Sequence, residues 1–266
     1  MPCLPMLLRT VAPDQPAIQP QPIFQERFMN IVEPNVDILA STTLHQDAMT
    51  WDAEVRNEII AGAMIYQGGS SEAETVLEYA GRECYDSHDR PNPATATTES
   101  YLQRTLFDQA HWSIAEHASA TLHITGVSRA FLTELTRHRH LSFSVRSQRF
   151  VDESDCNVVM PPAIRDAEYP SIRTAWRYHM TEAVSNYTDH VLLLDHLPRK
   201  QAREAARSVL PNAVETRMVV TANLRAWYNV IALRTAPGVD AEMVEVMTLV
   251  RDQLATIAPT IFKEQA

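Results

Sequence analysis

Glycine is scarce in this chain: six among 266 residues, at Gly62, Gly68, Gly69, Gly81, Gly126 and Gly238. Neither G-x-G-x-x-G nor G-x-x-x-x-G-K-[S/T] can be assembled from them. The two common backbone cradles for phosphate, the Rossmann turn and the P-loop, are therefore excluded, and a bound nucleotide must be held largely by side chains. Cysteine is rarer still. Cys3, Cys84 and Cys156 are odd in number, far apart and never in a C-x-x-C pair, which argues against a disulfide framework and a cysteine-rich metal site. No apolar run reaches the roughly 20 residues needed to span a bilayer. The start, Met1 to Arg9, is too short and proline-broken for a signal peptide. These absences lead to the expectation of a soluble, cytoplasmic protein with no membrane partner and no metal.

What is present is a local excess of positive charge. The chain carries a formal net charge of -10, yet no acidic residue occurs from Leu135 to Val151. Within that gap, residues 137–149 hold four arginines and two histidines, interleaved with Ser and Gln and free of lysine. A diffuse basic patch usually contains several lysines. Arginine forks match phosphate bidentately, so this composition points to shaped recognition of a phosphorylated ligand. Overall acidity argues against a general nucleic-acid coat, which would show a broad basic face.

The chain is long enough, and at 45% hydrophobic apolar enough, to bury a sizeable core. Residues 1–34 contain seven prolines without apolar periodicity and read as a flexible extension; residues 35–266 read as a single domain. Strands are predicted at 36–39, 118–124, 157–160 and 216–221. Helices are predicted at 72–84 behind a capping box at Ser71, at 99–110, after Gly126, at 171–194, at 200–209, from the N-cap Asn223 to Arg234, and at 240–257. Residues 86–97 form a polar, proline-bearing loop. Glu134, Arg137 and His138, at i, i+3 and i+4, share a helical face. Strands and helices mix without regular alternation, so the expected fold is α+β, a mixed sheet with flanking helices and no Rossmann unit.

Three further segments carry polar chemistry. His111, Glu116 and His117 lack the spacing of a zinc-binding H-E-x-x-H helix. The helix containing Arg199, Arg203 and Arg207 reads first as a solvated face. Arg225 and Asn229 lie one turn apart, and Arg234 closes the same helix, where a cation suits the dipole.

Arg137-His138-Arg139, seven residues, then Ser147 resembles the signature of the flavin-dependent thymidylate synthases. The likeness extends to Ala80-Gly81-Arg82-Glu83-Cys84-Tyr85, Pro91-Asn92-Pro93, residues 111–117, residues 203–212 and residues 223–234, covering about 36–262. The resemblance implies conversion of dUMP to dTMP in a homotetramer, with sites built at subunit interfaces. It also implies methylenetetrahydrofolate as carbon donor, reduced FAD as hydride source and NADPH as its reductant. Arg234 takes the role of activating the pyrimidine without a cysteine nucleophile. Glu134, Leu135, Thr136 and Arg137, then Val145, Arg146, Ser147, Gln148 and Arg149, then Arg207 and Arg234, correspond to the dUMP pocket. Ser113, Arg137, His138, Arg139 and Val145, with Asn223, Leu224, Arg225 and Asn229, correspond to the FAD site.

Some positions depart from the family pattern. Val145 stands where Glu or Gln is common and offers only its backbone; Arg146 replaces an often apolar residue; Phe150 replaces Tyr. Ala236-Pro237-Gly238-Val239-Asp240 replaces an acidic-histidine turn. Two alternatives follow: a family member that binds flavin and nucleotide but turns over poorly, and an arginine-rich nucleic-acid-binding module with stacking aromatics, of which Phe143 and Phe150 are nearby.

Overall fold

The computed structural model of the protein describes residues 29–44, 71–87 and 97–263. Residues 1–28 of the extension, Pro91-Asn92-Pro93 and most of the 86–97 loop lie outside the described residues. The first strand, β1, spans Asn35–Ser41. Helix α1 (Glu72–Cys84) starts where predicted, with Ser71 Oγ accepting from Glu74 N at 3.2 Å. The capping box is one-sided, because Glu74 reaches across the fold instead and accepts from Thr260 N at 2.6 Å. Helix α2 (Thr98–Leu102) opens on a true capping box and then widens into a π-helix over Gln103–Asp108. The sequence predicts one continuous α-helix there. In the wider turn Phe107 meets the rings of Trp112 and Tyr228 edge-on, and Ala110 ends the segment at positive φ.

Strand β2 (Ser119–Ser128) shows the predicted alternation, with Ala120, Leu122 and Ile124 buried. Short helix α3 (Arg129–Leu135) follows directly, then β3 (Ser142–Val145). Helices α4 (Pro162–Arg165), α5 (Pro170–Leu193) and α6 (Arg199–Ala206) lead into a 3-10 turn, Arg207–Val209. Strand β4 (Glu215–Asn223) precedes α7 (Leu224–Arg234), α8 (Ala241–Leu254) and α9 (Pro259–Phe262). The predicted strand at 157–160 is reduced to a single residue. Val158 bridges Ile31 on one side and Val214 on the other, and Pro161 and Pro162, lacking N–H groups, cannot extend the ladder.

The sheet order is β1-β2-β4-β3, with every adjacent pair antiparallel. One face packs on α1, α2, α7 and α8 through Leu77, Leu102, Trp227 and Met247, and Trp227 Nε1 donates to Ala120 O at 3.2 Å. In β2 the register shifts between Ile124 and Val127. Gly126 sits in that irregularity at φ +66, and a Cβ there would collide with the Glu33 carbonyl. A second, smaller core joins Cys156, Val158, Met160, Trp176 and Val214, with Met29 and Ile31 against it. The 24-residue α5 buries only Trp176 and Tyr187, leaving Ile172, Tyr178, Leu192 and Leu193 exposed.

Candidate active site

The arginine-rich run resolves into separate groups. At one end of α3, the helix stops at Leu135 and the chain tightens into a turn, His138 N donating to Leu135 O at 3.1 Å. Arg137 and His138 therefore leave the helical face predicted for them. They meet Glu134 all the same, because Arg234 arrives from the end of α7. Its Nη1 donates to Glu134 Oε2 at 3.2 Å, its Nη2 to Glu134 O at 2.9 Å and its Nε to His138 Nε2 at 2.8 Å. Arg137 Nη1 shares the same Glu134 oxygen at 3.3 Å. Burial, then Arg234, then Arg137 hold the His138 imidazole below its ordinary pKa. The neutral ring accepts at Nε2 and keeps its proton on Nδ1. A guanidinium has five N–H bonds, so with three anchored, two on Arg234 have no partner among the described residues and can meet a ligand.

A second group forms where β3 ends. Arg146 N is clipped to Arg217 O, and Arg146 Nη2 pairs with Glu153 Oε2 at 3.1 Å. Glu153 has no exposed surface; burial raises its pKa, and Arg146 and then Arg129 oppose that shift. Between these two residues the chain turns on Ser147, whose carbonyl accepts from Phe150 N and Val151 N. The turn rests on α6. Arg203 donates to Phe150 O at 2.7 Å and to Asp152 at 2.8 Å, while Arg149 Nε lies 3.0 Å from Glu204. Gln148 is buried, and its amide nitrogen has no partner among the described residues. Val145 faces the core opposite Met218, so its side chain is turned away from any ligand on the exposed side of the sheet.

The third group gathers around the start of α7. Asn223 caps it, its Oδ1 accepting from Ala226 N at 2.8 Å. Arg225 Nη1 donates to Glu116 Oε1 at 2.5 Å, and Trp112 stacks on Tyr228 with centroids 4.2 Å apart. These contacts fix the 3-10 turn Trp112–Glu116, which carries exposed Ser113, against the helix that carries Asn229. His111, weighed as a metal ligand from sequence, faces the Tyr85 hydroxyl at 3.0 Å. Among the described residues no group of three or more His, Cys, Asp or Glu could hold a metal ion, and no helix is long and apolar enough to cross a membrane.

No hydrogen bond or ion pair among the described residues joins the Glu134–Arg234 group to the 146–153 turn. They lie toward opposite ends of α3. Leu135 is wholly buried, Thr136 is an exposed C-cap, and Leu224 is buried in the core, so side-chain recognition falls to their neighbours. Exposed Arg137 and Arg139 have the guanidinium chemistry to meet a dinucleotide pyrophosphate, and the donor set as a whole fits such a group. Sequence reasoning missed Glu153, because Asp152-Glu153-Ser154-Asp155 reads as a polar surface stretch. Arg203 was read as one charge of a solvated helix and as the first residue of a family-like segment, with no role assigned to it. Cys156 is buried, its thiol pushed up to about 12, which makes it unsuited to act as a thiolate nucleophile.

A family model described as thymidylate synthase complementing protein matches residues 68–260. The chain is 48% identical over 196 residues to the flavin-dependent thymidylate synthase of Mycobacteroides abscessus, covering 70% of this chain and 77% of that protein. It is 48% identical over 203 residues to the probable flavin-dependent thymidylate synthase of Mycobacterium phage L5, covering 74% and 82%. Among solved structures, thymidylate synthase X of Helicobacter pylori with FAD and dUMP superposes with a TM-score of 0.60 at 18% identity, over 86% of this chain and 98% of that one. The UMP/dUMP methylase PolB of Streptomyces cacaoi bound with 5-Br dUMP gives 0.62 at 19%, over 88% and 95%. At such identities the structural likeness speaks for the α+β fold alone.

Proposed function

The chain belongs to the flavin-dependent thymidylate synthases, and from that membership we propose how its residues divide the work. It is an enzyme that converts dUMP to dTMP by reductive methylation, with FAD as its flavin. The carbon donor in this reading is methylenetetrahydrofolate, and NADPH reduces the flavin. C5 of uracil is a poor nucleophile, and no cysteine is assigned to activate it. A guanidinium beside the pyrimidine favours the N3-ionised, electron-rich ring. The observation that carries the assignment to Arg234 is its anchoring: three acceptors fix the fork, and two N–H groups have no partner among the described residues. Glu134 holds both Arg234 and Arg137 and has acceptor capacity left for the nucleotide.

Arg137, His138 and Arg139, with Ser113, Asn223, Arg225 and Asn229, are assigned to hold FAD. When bound, FAD supplies the hydride that completes the methyl group. Ser147, Gln148, Arg149 and Arg207 are assigned to dUMP; Val145 contributes its backbone. Arg146 is committed to Glu153 and shapes the turn. One complete pocket needs both groups of residues. Their separation within one chain supports a homotetramer in which neighbouring copies supply the two halves, and the sparsely buried α5 supports the same reading. We assign the cytoplasm as its location.

The test is direct. Protein loaded with FAD and reduced anaerobically by NADPH should form dTMP when dUMP and methylenetetrahydrofolate are added. Arg234→Ala should lower the rate by roughly 10²–10³-fold, the usual cost of losing one such electrostatic group. A colourless protein that cannot be reconstituted with FAD would overturn the reading. Flavin reduction without dTMP would favour the poorly turning-over alternative.

A further inference from the structure

One of the three acceptors that anchor Arg234 exists in a single protonation state. Arg234 Nε donates to His138 Nε2 at 2.8 Å, and a guanidinium has donors and no acceptor. The bond therefore needs the lone pair on Nε2, which only a neutral imidazole offers. A second proton on the ring would set N–H against N–H. The other two anchors, the Glu134 carboxylate at Nη1 and the Glu134 carbonyl at Nη2, belong to one residue of α3. A fork held at those two nitrogens alone can still tilt about the line that joins them. The contact at Nε removes that freedom and fixes the plane of the guanidinium.

The surroundings favour the form of His138 that Arg234 requires. The imidazole is half-buried, and its backbone is seated by the turn that ends α3, His138 N donating to Leu135 O at 3.1 Å. Glu134 and Arg137 face it from the α3 side and Arg234 from the end of α7; Arg139 and His140, which follow it in the chain, are exposed. Burial, Arg234 and Arg137 all disfavour the imidazolium, and Glu134 opposes them. That carboxylate is already shared by the two guanidiniums. Protonating His138 would put three cations around one carboxylate, in a place partly shielded from water.

We propose that His138 is a positioning residue for the thymidylate reaction: as a neutral acceptor it fixes the plane of the Arg234 guanidinium against the pyrimidine, and taking up a proton releases that guanidinium. This rests on the role given to Arg234 above and is separate from the contact with FAD assigned to the same residue. It makes the activation of dUMP sensitive to acid, because the imidazole is lost as an acceptor when the pH falls through its lowered range.

The test uses full-length protein saturated with FAD and pre-reduced by NADPH without oxygen. Single-turnover formation of dTMP is followed at saturating dUMP and methylenetetrahydrofolate, from about pH 5 to 8. His138→Ala should lower the rate at the alkaline end roughly 10- to 100-fold, the range for losing one hydrogen bond to a charged group. His138→Gln can present an amide oxygen to the same N–H and does not titrate. It should recover most of that loss and should lack the acid fall of the unsubstituted protein. In an Arg234→Ala background, His138→Ala should cost little more, since the group it positions is gone. A His138→Ala loss of the same size with and without Arg234 would overturn the inference and leave His138 as a flavin contact alone. An acid fall unchanged in His138→Gln would also overturn it, assigning the proton to the substrate or to another group. If Arg234→Ala alone had no effect on dTMP formation, the role of Arg234 itself would fall, an outcome distinct from the other two.

Discussion

Glu153 shows how much of a site can rest on one hidden carboxylate. It has no exposed surface, and among the described residues Arg146 is its one hydrogen-bonded cation. Replacing it by Gln leaves the half-buried Arg146 guanidinium without its counter-charge, and such breakage costs at most about 3–5 kcal/mol, the range for a fully buried pair. Glu153→Gln should lose stability of that order in urea unfolding. Replacing both partners, Arg146→Met with Glu153→Leu, should recover most of it, because an apolar pair carries no desolvation cost. The same pair explains a limit of the sequence. The motif spacing marks residues 145–149 as ligand-facing, but it does not reveal that Arg146 turns to Glu153 or that Val145 turns to the core beside Met218. Those orientations depend on strand register, which is fixed by β4, more than seventy residues later.

Among elements, the ones with strong local signals were legible. The alternation in β2 and the Ser71 and Asn223 caps are short-range patterns, and the strand and the two helices form where those patterns place them. The π-winding of Gln103–Asp108 and the collapse of 157–160 to one bridge depend on tertiary neighbours and were not. Glu74 is a sharper case, since its sequence position suggests a local cap while its carboxylate spans 186 residues to Thr260 N. Burial, only partly offset by that bond, pushes its pKa from 4.5 up to about 7. With the folded value above the unfolded one, the native state holds a proton that the unfolded chain releases between pH 4.5 and 7. Stability should therefore fall with rising pH across that window, by up to about 3 kcal/mol at roughly 1.4 kcal/mol per unit, and level off above it. Glu74→Gln should make the decline shallower, leaving the smaller share that buried Glu153 and Glu242, also raised by burial, contribute with the same sign, read from urea midpoints between pH 4.5 and 8. A slope unchanged in the variant would assign it to another group.

At the scale of the whole molecule, the sequence presents one continuous basic motif, and the fold parts it around α3. Arg129 and Glu134 stand about 7.5 Å apart along that helix, at 1.5 Å per residue; Glu134 anchors one group, and the 146–153 turn lies toward the other end. No reading of a single chain's spacing could show this parting, because it arises from where α6 and α7 deliver Arg207 and Arg234. If neighbouring copies complete each pocket, chains carrying Arg234→Ala and chains carrying Arg149→Ala should each be nearly inactive alone. Dissociated and reassembled together, they should regain activity, up to about a quarter of the unsubstituted level, since each half of a pocket then has an even chance of being intact. Mixtures no better than their components would place both halves in one chain. The central claim is that the methyl group of dTMP receives its hydride from the flavin of this protein. The most direct measurement is a single anaerobic turnover of the pre-reduced enzyme, following flavin absorbance and dTMP together after dUMP and methylenetetrahydrofolate are added. The account predicts one flavin oxidised for each dTMP formed, at the same rate; dTMP appearing while the flavin stays reduced would contradict it.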